Sequence, residues 1–136
     1  MKIKNFTLLF LCCNIFFSCL SLPAPSDLEL INEKSWLSDF EVIDDKVLIK
    51  CRITIKNNTG NDVKYKINAI SRDDVDLGLL RNEIIEGYKE DLVTDVFTIS
   101  ANETVEERII FVGDFAGNYQ KHDRLLPKTI NIILLE

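Results

Sequence analysis

The sequence predicts an all-β fold, an antiparallel two-layer sandwich, from three observations. Apolar residues recur at every second position from about Asp27 onward, clusters of Gly, Asn and Asp interrupt the chain at fairly regular spacing, and helical periodicity is weak throughout. The chain has 136 residues, and removing an 18-residue leader leaves 118, enough for one small core.

The leader comes first. Lys2 and Lys4 precede an apolar run from Phe6 to Phe17 interrupted by Thr7 and Asn14, the pattern of a secretory signal over residues 1–18. The run is shorter than the roughly 20 residues a membrane-spanning helix requires. Leu20-Ser21-Leu22-Pro23-Ala24-Pro25 then reads as a flexible tether over residues 19–26, and the folded domain is expected over residues 27–136.

Phe16-Phe17-Ser18-Cys19 resembles a bacterial lipobox: Ser18 is the small residue and Cys19 the acylated one, while Phe16 and Phe17 depart from the usual leucine and small residue. The resemblance implies cleavage before Cys19, diacylglycerol on its sulfur, and anchoring at the cell membrane or outer membrane. The alternative is ordinary cleavage after Ser21 and secretion. Several acyl chains would give durable membrane residence, which one short chain would not.

The clearest strand is Val47 to Asn57, with Val47, Ile49, Cys51, Ile53 and Ile55 on one face and Lys50, Arg52, Thr54 and Lys56 on the other. Asn57-Asn58-Thr59-Gly60-Asn61 supplies turn residues. Val63 to Ile70 then resumes the alternation, which makes a hairpin. Further strands are predicted at Phe40 to Ile43, Ile84 to Tyr88, Leu92 to Ile99, Thr104 to Val112 and Thr129 to Leu135, about seven in all. Glu107 falls on the apolar face of Val105, Ile109 and Phe111, which places it near an edge or a strand start. Thr129 to Leu135 is apolar on both faces and is expected to be central or covered on both sides. Asp73 to Asn82 has room for a short helical turn, limited by Gly78. This pattern resembles the immunoglobulin-like class of small exported bacterial sandwiches over Trp36 to Glu136. The inter-sheet disulfide of antibody domains is absent, and Trp36 precedes the first long strand.

Without the leader, 14 basic residues face 22 acidic ones, a net charge of −8 that disfavours nucleic acid as a partner. Such a domain is expected to stand off an anionic membrane on its tether. Cys12 and Cys13 belong to the leader, and Cys51 shares a face with Ile49 and Ile53 as a core thiol, so no internal disulfide is available. Asp73-Asp74-Val75-Asp76-Leu77-Gly78 fails as a calcium loop: with Gly78 sixth, Val75, Leu77 and Ile84 occupy positions that need oxygen ligands. No metal site or cofactor is expected. Asn57-Asn58-Thr59 and Asn102-Glu103-Thr104 match the glycosylation pattern within predicted turns.

The long connection from Gly113 to Arg124 carries the only histidine. No Gly-x-Ser-x-Gly elbow or paired nucleophile accompanies it, so enzymatic chemistry is not expected. Two readings of the connection stand side by side. It is either a structured crossover in which Phe115, Tyr119 and Leu125 pack down and Asp123 and Arg124 fix the turn before Pro127, or a partner-binding surface using Phe115, Tyr119, His122 and Arg124. The expectation for the whole chain is a non-enzymatic lipoprotein module at the cell envelope, held to the membrane through Cys19 and contacting another envelope protein. The alternative is a soluble secreted accessory or inhibitor protein that binds its target through residues 113–124.

Overall fold

The computed structural model of the chain describes residues 26–119 and 124–136. The leader, Cys19, most of the tether, His122 and Asp123 lie outside the described residues. Strands account for 54% of the structure and helix for 7%, which establishes the all-β class. Eight strands form one connected antiparallel sheet: β1 (Leu28–Leu30), β2 (Trp36–Ile43), β3 (Lys46–Asn57), β4 (Val63–Ile70), β5 (Ile84–Tyr88), β6 (Phe97–Ile99), β7 (Thr104–Asp114) and β8 (Thr129–Leu134). One short helix, α1 (Arg72–Asp76), follows β4.

The long β3 is the organising strand because its alternation is strict. Val47, Ile49, Cys51, Ile53 and Ile55 are all buried in one core cluster with Tyr65, Ile67 and Ala69 of β4 and Ile109 and Phe111 of β7. On one side β3 pairs along its whole length with β7, from Lys46↔Asp114 to Lys56↔Thr104. Its other side is shared by β2, which meets Lys46 to Arg52 through a two-residue Asp44-Asp45 turn with Asp44 at φ 53°, and β1, which meets Ile55 to Asn57. Between β1 and β2 a 3-10 turn at Asn32–Lys34 interrupts the pairing. Side chains repair that interruption: the Ser35 hydroxyl accepts from the Thr54 amide at 3.0 Å, and the Thr54 hydroxyl donates to the Lys34 carbonyl at 2.8 Å.

The hairpin predicted from β3 and β4 does not form: among the described residues β3 pairs with β1, β2 and β7, while β4 starts the second half of the sheet, pairing with β8 on one side and with β5 and β6 on the other. The halves join through β5, where Glu86 is opposite both Asn68 of β4 and Val112 of β7. This shared strand curls the sheet nearly into a barrel. Gly87 permits the close approach: a Cβ there would sit 2.7 Å from the Ile67 side chain and 3.0 Å from that of Ile109.

Several expectations need correction. Leu92 to Val96 is not strand, so β6 begins only at Phe97; the Asp91 carboxylate accepts from the Val93 and Thr94 amides at 3.0 and 2.8 Å and holds a turn in which Leu92 has φ 58°. The helical turn predicted over Asp73 to Asn82 is the five-residue α1. β8 is neither central nor covered on both sides: among the described residues it pairs with β4 alone. Asn57 is buried within the sheet's end, with its amide donating to the carbonyls of Asn61, Ile99 and Ser100 and accepting from the Thr59 amide and hydroxyl. Its side chain is a structural clasp between two turns and is closed to glycosylation.

Candidate functional site

Beyond β7 the chain is sewn to the turn after α1. The Ala116 amide donates to the Leu79 carbonyl at 2.8 Å, the Asn118 amide to the Gly78 carbonyl at 3.1 Å, and the Asn118 side chain to the Leu77 carbonyl at 2.9 Å. Gly78 has φ +77°, and a Cβ at this position would lie 3.2 Å from that of Asn118. Phe115 is held by this lacing and packs against the core. It belongs to the support of the site rather than to its exposed face.

Tyr119 and Arg124 converge on one residue of β2. The Tyr119 ring stacks on Phe40 with centroids 5.9 Å apart and planes within 12°, and the Arg124 guanidinium lies 4.0 Å from the Phe40 centroid. Arg124 also donates to Asp74 at 2.7 Å, and the two side chains are only 10% and 16% exposed. The second carboxylate oxygen of Asp74 accepts from the Ser71 hydroxyl. Arg124 therefore ties three elements together, β2, α1 and the segment entering β8, with its charge already satisfied.

Arg124, Leu125 and Leu126 form a ridge between two grooves. One, of about 360 Å³, runs along α1 and is lined by Asp73, Leu77 and Pro127 among others; the other, of about 410 Å³, is lined by Trp36, Leu37 and Ser35. Leu125 stands on the crest at 84% exposure, against the expectation that it packs down, and Tyr119 and Trp36 are each about half exposed. The charges around the first groove are paired: Arg72 with Glu83 at 3.1 Å and Lys128 with Asp73 at 3.4 Å. The exposed chemistry is thus aromatic and aliphatic, with a rim of paired charges. Trp36, Phe40, Asp74 and Leu125 were absent from the sequence-level site. The aromatic spacing of Trp36 and Phe40 was the one available hint.

A second cluster is centred on Tyr65 of β4, with Phe97 of β6 and Glu107 of β7. Tyr65 is fully buried, stacks on Phe97 at 5.5 Å, and its hydroxyl has no hydrogen-bond partner among the described residues. Burial raises its pKa, and the Glu107 carboxylate adds to the shift. Glu107 is itself half-buried opposite Ile53, near the start of β7 as its pattern required, and burial raises its carboxyl above the ordinary range despite the opposing charge of Lys89. Burial also pushes the Cys51 thiol up to about 12, far from the reactive thiolate range.

Among the described residues no group of three or more His, Cys, Asp and Glu side chains is placed to hold a metal ion. No protein-family model, curated protein or solved structure matches the chain.

Proposed function

We propose that this chain is an exported cell-envelope lipoprotein whose β domain acts as a non-enzymatic binding module. The observation that carries the reading is the order of segments in the sequence: an apolar run ending in Ser18-Cys19, a spacer containing Pro23 and Pro25, and then the β domain, whose first strand among the described residues is Leu28–Leu30. Acylation of Cys19 would place the domain at a membrane surface with about seven residues of slack, each spanning at most ~3.5 Å. Trp36, Tyr119 and Leu125 supply the binding face, and Phe40, Asp74 and Arg124 hold it in place. We also read the curled sheet as an immunoglobulin-like sandwich, with β1, β2, β3 and β7 as one layer, β4, β6 and β8 as the other, and β5 shared.

Metabolic labelling with a fatty-acid analogue, comparing wild type with Cys19→Ser, tests the proposal. Label on the wild type alone supports it; label on both, or on neither, contradicts it. A secreted binding protein is the second reading, favoured by the exposed Tyr119 and Leu125 at the end of the 113–124 connection. It would be indicated by an unlabelled protein recovered from the medium.

A further inference from the structure

Two of the edge strands of the sheet, β2 and β8, are protected differently. β2 carries Asp39 and Glu41 and has an irregular register between Leu37 and Asp39, features that discourage pairing with another strand. β8, Thr-Ile-Asn-Ile-Ile-Leu, has no charge, proline, glycine or register irregularity, and Ile133 and Leu134 remain 43% and 46% exposed. Lys128 and Glu136 bracket this uncharged stretch.

The free edge has a defined hydrogen-bonding phase. The Leu135 amide donates to the Lys64 carbonyl at 2.9 Å, so alternation along the ladder turns Ile133 and Asn131 toward β4 as well. The amides and carbonyls of Ile130, Ile132 and Leu134 consequently point away from the sheet. An antiparallel two-fold pairing centred on Ile132 sets Ile132 opposite itself and Ile130 opposite Leu134, all in the bonding phase. The same register brings Lys128 of each copy opposite Glu136 of the other.

We propose that β8 is a homodimerisation edge, joining two copies of this chain into a continuous sheet through that register. The occupant is a second copy because the edge is self-complementary: apolar residues meet apolar residues at the centre and opposite charges meet at both ends. Lys128 can exchange its partner, since its 3.4 Å contact with Asp73 joins two side chains that are 85% and 77% exposed. The inference is independent of the lipid anchor.

The test is sedimentation velocity on the full-length chain in nonionic detergent, over a dilution series, with far-ultraviolet dichroism verifying the fold of each variant. Wild type is expected to dimerise, and Leu134→Lys, which acts twice in a two-fold interface, to weaken association by about a hundredfold. Lys128→Glu and Glu136→Lys should each weaken it by about tenfold, and the double reversal should restore it. Association driven by the leader would be insensitive to all of these changes. A monomeric wild type, association only with a different protein, or a dimer unaffected by Leu134→Lys and by both reversals would overturn the proposal.

Discussion

Arg124 and Asp74, fifty positions apart, form the most enclosed ion pair among the described residues, at 2.7 Å. Each has further partners, Phe40 for the guanidinium and Ser71 for the carboxylate, so the pair fixes the segment entering β8 against both β2 and α1. Removing one partner leaves the other charge enclosed and unmatched. Arg124→Ala is expected to cost about 3 kcal/mol, and Arg124→Met with Asp74→Leu less than the sum of the singles. Urea denaturation of the three variants measures both.

Tyr119→Ala should behave differently. Half exposed and held by stacking on Phe40, it is expected to cost about 1 kcal/mol or less while removing part of the proposed contact face. Trp36, the single tryptophan, lines the neighbouring groove and so reports on it. Its fluorescence should be unchanged by Tyr119→Ala in the isolated protein. A large stability loss in this variant would assign Tyr119 to the core instead.

Glu107 confers a pH dependence of definite sign. Its folded-state pKa is raised by burial, so the stability associated with the neutral carboxyl is fully present below the ordinary carboxylate range and is lost as pH rises through the raised value. Glu107→Gln is therefore expected to raise the melting temperature near neutral pH and to leave it almost unchanged in acid. Asp91 acts in the opposite sense: bonds from the Thr94 hydroxyl and from the Thr94 and Val93 amides lower its pKa to about 2, and their benefit is lost as pH falls toward that value. Thermal melts across the acidic and neutral range separate the two.

Tyr65→Phe removes a buried hydroxyl that has no partner among the described residues. The substitution keeps the ring stacked on Phe97 and should stabilise the domain by about 1 kcal/mol. Unchanged or lower stability in calorimetry would mean that the hydroxyl is bonded in solution.

Gly87→Ala probes the junction of the two halves of the sheet. The added methyl would lie 2.7 Å from the Ile67 side chain and 2.9 Å from its carbonyl oxygen, where backbone must move. A loss of about 3 kcal/mol or failure to fold is expected, read by denaturation.

The long strands were legible because burial imposes a period of two on β3, β4 and β7, and Glu107 was readable as a residue near a strand start for the same reason. Shorter elements left weaker traces. Leu28–Leu30 is too brief to show a period, and Leu92-Val93 looks like strand until the Asp91 turn is seen to interrupt it. β8 read as central because both faces are apolar, yet its position depends on which strands curl around it. Phe115, Tyr119 and Arg124 were recognised within one connection, but their division into support, face and anchor depends on Phe40 and Asp74, which only tertiary folding brings near.

Intact-mass spectrometry of the mature protein isolated from membranes tests the central claim most directly. The account predicts a chain beginning at Cys19 whose mass exceeds that of the polypeptide by a diacylglycerol. A mature chain beginning at Leu22, or an unmodified Cys19, would contradict it.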